Sequence, residues 1–241
     1  LWDLRPVPEF SSPEYNYATM RQWEKEGRYD DLIKLYEDPY GKRPAPTKIP
    51  AGRIELTLKG SPAFKNARLA IAEPEATVKF GDGSTVSVWI HAAEPVGLFR
   101  IASEGGIELK LRAPAFGGEP SKEAEQAIVV GELAHLGYPP PKESGGPGWS
   151  AYVQEGWGGF RYAVHVCWEE ESPGIWAGAF SIASSREGDD PAAVAKRRSE
   201  HARERAAELR SSHRVWWGRY WNQACVSGPN KTIERPYYLD M

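Results

Sequence analysis

Two hydrophobic periods divide this chain, and the places where one gives way to the other predict its organisation. From Arg53 the apolar positions recur at every second residue: Ile54, Leu56 and Leu58; Leu69 and Ile71; Ala76, Val78 and Phe80; Val86, Val88 and Ile90, with Trp89 turned to the other side. That period belongs to strands with one buried face. Residues 96–101 and 107–111 continue the meander, and Gly81-Asp82-Gly83-Ser84 marks a tight hairpin. A strand or helix is expected around residues 127–133. Two strong strands follow at 160–169 and 175–184, after a weaker one at 149–154. Short strands with frequent turn signals predict a mainly β fold, an antiparallel β-sandwich.

Helical spacing takes over at both ends. Pro13-Glu14 opens a helix with proline in its first turn, Tyr17, Met20 and Trp23 make an apolar stripe, and Gly27 is the expected C-terminal cap. A second short helix is predicted over 29–37, with Leu32, Ile33, Leu35 and Tyr36 toward its buried side. Four prolines between residues 38 and 50 predict a wrapping loop. Near the other end, Asp190 caps a helix that begins at Pro191. Ala195, Ser199, Ala202, Ala206, Leu209, His213, Trp216 and Tyr220 then fall on one face, small at its start and aromatic at its end. A single helix from 191 to 223 would span roughly 50 Å at 1.5 Å per residue.

Trp216, Trp217, Tyr220 and Trp221 occupy more than one side of that helix, so some of these rings are expected to meet polypeptide other than the sandwich, as an inter-domain contact. The organisation read from these patterns is a β-sandwich over 1–188 with a helical insertion at 13–38, a linker helix at 189–225, and the start of a following domain at 226–241. The chain is accordingly expected to be one domain of a larger protein. It opens on leucine with no signal-peptide pattern behind it.

Composition trims the function classes. A length of 241 residues allows one large β domain or two small ones, and a formal charge of −3 gives no electrostatic case for nucleic acid or an anionic membrane. No apolar run reaches the ~20 residues of a spanning helix. Two cysteines, Cys167 and Cys225, make neither a disulfide framework nor a zinc pattern, and Cys167 reads as a buried thiol in a strand. Ten tryptophans and eleven tyrosines fit a protein that stacks rings on sugar faces, and equally a large-cored β protein.

Candidate chemistry is sparse. His91, His135, His165, His201 and His213 lack metal-ligand spacing, so neither metal nor cofactor is expected. Ser184-Ser185 and Ser211-Ser212 carry no nucleophile-elbow pattern, and the glycine runs at 81–83 and 145–148 lack the Lys-Ser/Thr of a phosphate loop. Glu169-Glu170-Glu171 reads as a solvated acidic hairpin. The run Lys196-Arg197-Arg198 with Arg203, Arg205 and Arg210 is offset by Glu200, Glu204 and Glu208, as on a salt-bridged face. The loop Gln154-Glu155-Gly156-Trp157-Gly158-Gly159 is flexible, aromatic and polar-tipped. Trp149, Glu155 and Trp157 are therefore the candidate substrate-binding residues, against the reading of an ordinary connection.

Three passages carry a family resemblance: the helical run from Tyr17 through Trp23 to Gly27-Arg28-Tyr29, the strand pair from Ala67-Arg68-Leu69 to Val88-Trp89-Ile90-His91-Ala92, and the helix His213-Arg214-Val215-Trp216-Trp217-Gly218-Arg219-Tyr220-Trp221-Asn222. Their order resembles the N-terminal β-sandwich and linker helix of glycoside hydrolases with an (α/α)6 barrel, most like the family 95 α-L-fucosidase-like group and more distantly family 65. The resemblance implies a super-sandwich of the galactose-mutarotase-like kind that braces a C-terminal helical barrel. It also implies a parent enzyme that hydrolyses terminal glycosidic bonds with inversion, and an extracellular or periplasmic setting. The paired carboxylates of inversion, ~6.5–9.5 Å apart, would come from the barrel, so no residue here is catalytic and the chain alone is expected to be inactive. In such enzymes a strand would precede Trp2-Asp3, and here none does. Two other readings stay open: a stand-alone carbohydrate-binding module stacking sugars on Trp149 or Trp157, and a structural domain docking a partner through its aromatic helix.

Overall fold

The computed structural model describes residues 1–41, 46–71, 73–116, 133 and 136–239. Of the expected features, the segment 127–132 and His135 lie outside the described residues. The chain is mainly β and antiparallel, a β-sandwich domain. Among the described residues the largest sheet has eight strands, β4 (Phe64–Ala70), β5 (Glu75–Phe80), β6 (Thr85–Ile90), β7 (Val96–Ala102), β9 (Lys142–Gly146), β10 (Trp149–Glu155), β11 (Arg161–Ser172) and β12 (Ile175–Ser184), in the order β4-β5-β6-β7-β12-β11-β10-β9. Two small sheets pair β1 (Trp2–Asp3) with β2 (Thr47–Lys48), and β3 (Arg53–Leu58) with β8 (Ile107–Arg112). The described chain forms two compact units.

The first unit comprises Leu1–Leu56, Leu109–Val166 and Ile182–Lys196. Tyr152, Tyr162 and Val164 present one face of β10 and β11 to Ile49, Phe116, Leu133, Leu136 and Tyr138. Buried phenols need acceptors, and both find backbone carbonyls: Tyr152 donates to Ala51 O at 2.6 Å and Tyr162 to Pro50 O at 3.2 Å. Alternation turns Ala163 and Ala183 to the other face, where Ala195 of helix α4 (Pro191–Glu204) packs on them. Methyl-sized side chains on both partners let a helix approach a sheet closely. As its sequence predicts, α4 is capped by Asp190, whose Oδ1 accepts from Ala193 N at 3.0 Å.

Helix α1 (Tyr17–Lys25) is capped by Asn16 and ended by Gly27 at φ +72°. Its apolar stripe is narrower than predicted: Trp23 is buried beneath the Arg28 guanidinium, whereas Tyr17 and Met20 are exposed. Helix α2 (Tyr29–Leu32) passes through a π-helical turn (Ile33–Glu37) into α3 (Asp38–Gly41), so the predicted loop over 38–50 contains a helical turn and strand β2.

The second unit comprises Thr57–Glu108, Cys167–Ser181 and Arg197–Met241. Gly83 takes φ +92° in the β5–β6 hairpin, while Ser84 donates its backbone N and Oγ to the Asp82 carboxylate, both at 2.9 Å. Strands β7 and β12 interlock through reciprocal glycine–phenylalanine pairs. Gly97 faces Phe180 and Gly178 faces Phe99, and a Cβ on either glycine would fall within 2.2 Å of the opposing ring. Trp89, Val96, Leu98 and Ala179 form the core here with Ala202, Ala206 and Leu209.

The predicted single helix is broken at Arg205 (φ −101°, ψ 21°), so that α4 hands over to α5 (Ala206–Gln223). The predicted face nevertheless persists across the break, since Ala195, Ser199, Ala202, Leu209 and His213 are all buried. Helix α6 (Lys231–Leu239), unpredicted by periodicity, starts at Asn230, whose Oδ1 accepts from Thr232 N at 3.0 Å.

Candidate functional site

In the first unit, the β1–β2 register pairs Trp2 with Lys48 and Asp3 with Thr47. Alternation along β1 sends the Trp2 ring outward, 51% exposed, and the Asp3 carboxylate inward, fully buried. Asp3 Oδ1 accepts from Arg5 N at 2.9 Å. Its Oδ2 accepts from Arg5 Nε at 2.8 Å, from Arg5 Nη2 at 2.6 Å and from the Tyr138 hydroxyl at 2.5 Å. Burial alone would raise this carboxyl, but the Arg5 and Tyr138 donors outweigh it and hold it below the usual carboxylate range. Burial, then the bond to Asp3, pushes the Tyr138 phenol well above its ordinary value, so it remains a donor.

A short loop supplies the rim. Gly156 N donates to Phe160 O at 2.7 Å and Phe160 N to Trp157 O at 3.1 Å, closing a tight turn. Gly158 and Gly159 take φ +65° and +78°, a succession that side-chain-bearing residues adopt only at a cost. A Cβ on either would meet nothing within 4 Å, so backbone conformation, not crowding, requires glycine at both positions. This turn carries Trp157 outward, 46% exposed, while the Arg186 guanidinium sits 5.7 Å from the Phe160 ring centroid. Trp2, Leu4, Trp157 and Phe160, with the polar groups of Asp3, Tyr138, Ser185 and Arg186, line a cleft of about 240 Å³. That lies below the ~300–1,000 Å³ of sites enclosing drug-sized ligands, and suits a single ring.

The three sequence-predicted binding residues do not converge. Trp149 stacks on His165, with ring centroids 5.6 Å apart and planes 13° apart. Glu155, at the other end of β10, pairs with Lys142 Nζ at 2.6 Å, a contact that lowers its pKa. Only Trp157 lines the cleft. Its neighbours Trp2, Asp3, Tyr138 and Arg186 escape sequence reasoning, because strand pairing and core packing gather them from widely separated segments.

In the second unit the aromatic end of α5 forms a block of its own. Trp216 stacks on Tyr220 (5.4 Å, 8°) and Trp217 on Trp221 (5.7 Å, 25°), both at helical i,i+4 spacing. Trp221 Nε1 donates to Ile71 O at 2.8 Å, and Arg214 pairs with Glu73 at 2.5 Å. Trp217, Tyr220 and Trp221 are half-buried, while Trp216 is 41% exposed and Val215 51%.

Catalytic carboxylates are not evident in the acidic hairpin. Glu169 pairs with Arg203, Glu170 accepts from Gly174 N, and Glu171 pairs with Arg100. Cys167 is buried, which raises its thiol pKa. Among the described residues no three His, Cys, Asp or Glu side chains gather as a metal centre needs, and no described helix is long and apolar enough to cross a membrane.

No protein-family profile matches the chain, and no curated protein matches it by sequence. Among solved structures, one named "Putative kojibiose phosphorylase from human microbiome" aligns with 69% of this chain at 8% identity and a TM-score of 0.44. The chain spans about a quarter, 24%, of that protein's length.

Proposed function

We propose that this chain is a non-catalytic, carbohydrate-recognising β-domain of a glycoside-active enzyme, and that it takes one sugar ring in the cleft between Trp2 and Trp157. The observation that carries the reading is the pairing of two exposed indoles with the polar groups of Arg186 and Ser185 around a ring-sized cleft. A pyranose has an apolar C–H face and a girdle of hydroxyls, and aromatic walls with a few placed polar groups complement both. Recognition suits the cleft better than catalysis. Among the described residues Asp3 is the single carboxylate in its lining, and that carboxylate is occupied by Arg5 and Tyr138, whereas glycoside hydrolysis ordinarily needs a pair. The sequence resemblance points the same way, toward a parent enzyme that hydrolyses terminal glycosidic bonds with inversion through groups on another domain.

Calorimetric titration with a panel of neutral mono- and disaccharides tests this. Binding is expected for at least one member, lost in Trp157→Ala with the melting temperature unchanged. A panel silent against the wild-type chain would remove the reading, and turnover of aryl glycosides by the chain would remove its non-catalytic part.

A second reading, favoured by the exposure of Val215 and Trp216, makes the outer face of α5 a docking surface for another domain of the same enzyme. An exposed aromatic face of that kind is expected to bind a hydrophobic dye, and Trp216→Ser is expected to reduce the signal; unchanged dye binding would count against it.

A further inference from the structure

The second unit carries a polar row that its core does not use. Sheet register aligns Arg68 with Thr77, Thr77 with Ser87, and Ser87 with Arg100, so four polar side chains stand abreast on one face of β4–β7. At ~4.8 Å between strands the row spans roughly 14 Å. It crosses two adjoining hollows, one of about 460 Å³ holding Arg68 and Thr77, the next of about 340 Å³ holding Ser87, Trp89 and Arg100. The Glu75–Arg210 ion pair lines both.

The charges around this groove are unevenly committed. Glu75 is held by Arg210, Glu73 by Arg214, and Glu171 by Arg100 at 3.2 Å. Arg68 is exposed and has no anionic partner among the described residues. Thr77 Oγ1 and Ser87 Oγ share one contact of 3.3 Å, which leaves the remaining hydrogen-bonding capacity of both hydroxyls open to a ligand. A free guanidinium fork beside two hydroxyls matches a carboxylate-bearing polyol, since Arg takes carboxylates bidentately.

We propose that this groove binds an acidic saccharide chain, with a uronate carboxylate on Arg68 and ring hydroxyls on Thr77 and Ser87. It uses none of the residues of the Trp2–Trp157 cleft, so each site stands or falls alone. Calorimetry on the full chain with trigalacturonate as probe, and maltotriose as its neutral counterpart, decides the matter. Trigalacturonate is expected to bind, more weakly as salt is added. Arg68→Ala is expected to weaken it about tenfold or more, Arg68→Lys to restore it in part, and neither to change maltotriose binding or the melting temperature.

Four results would overturn the proposal: equal affinity for the two trisaccharides, indifference to Arg68→Ala, loss of trigalacturonate in Trp157→Ala, or tighter binding of sulfate or an oligonucleotide than of trigalacturonate.

Discussion

Two tryptophan-rich regions of this molecule treat their rings in opposite ways. On α5 the ring faces are spent on one another: Trp216 lies against Tyr220 and Trp217 against Trp221, and Trp221 anchors the block to Ile71. Around the first unit's cleft, Trp2 and Trp157 are each about half exposed and flank polar groups. Density of aromatic residues therefore says little about ligand binding. What counts is whether exposed rings flank polar groups around a hollow, as Trp2 and Trp157 do in the cleft.

The cleft's side of this contrast depends on a rigid base, and Asp3→Asn should break it most severely. The change leaves the Arg5 guanidinium, 11% exposed, without its counter-charge. A loss of roughly 3–5 kcal/mol is expected in urea unfolding; a loss below about 1 kcal/mol would mean the base is not pre-organised. Because the native carboxyl is held below its ordinary range, its contribution is present above the unfolded carboxylate pKa. It fades as pH falls through the folded value, and the variant should lack that acid-side dependence.

A smaller effect is expected on the α5 side, at His91. Its Nδ1 accepts from Ala93 N and Glu94 N, and its Nε2–H donates to Ser212 Oγ, which in turn donates to Leu209 O. Both ring nitrogens of the neutral tautomer are thus in use. Burial, with His213 and Arg205 nearby and Glu94 opposing, depresses the His91 pKa. The unfolded chain then takes up the proton first, so stability is full above about pH 6.5 and declines as pH drops below it. In His91→Gln, the denaturation midpoint should fall less steeply over that window. An unaltered slope would show that this clasp is not what titrates.

Smallest of all should be Trp216→Ala, since the ring is 41% exposed. A change within about 0.5 kcal/mol is expected. A loss above 2 kcal/mol would show that the stacked block acts as core, and would narrow the contrast with the cleft.

Much of the architecture was legible in the residues because it is local. Alternation from Ile54 onward marks the strands but not their buried face everywhere, since Leu69 and Ile90 are 69% and 56% exposed. Asp82-Gly83 marks the hairpin, Asp190-Pro191 the helix start, and the four-and-three spacing from Ala195 to His213 the face that is buried. The interruption at Arg205 leaves no mark, since neither proline nor glycine occupies it and the face spacing runs on across it. The cleft was legible only at Trp157, where consecutive glycines announce an unusual turn. Asp3 and Tyr138 meet through a bond across 135 positions of chain, which no periodicity encodes. Trp149 and Glu155 stood close to Trp157 in sequence, but a strand keeps its ends apart.

Indole N–H resonances separate the two regions directly, because a titration with the neutral saccharide panel can follow each assigned tryptophan at once. The Trp2 and Trp157 signals should move on addition of the bound sugar, while those of Trp216, Trp217 and Trp221 stay in place. Movement confined to the α5 indoles, or none at all, would contradict the assignment of the cleft as the sugar site.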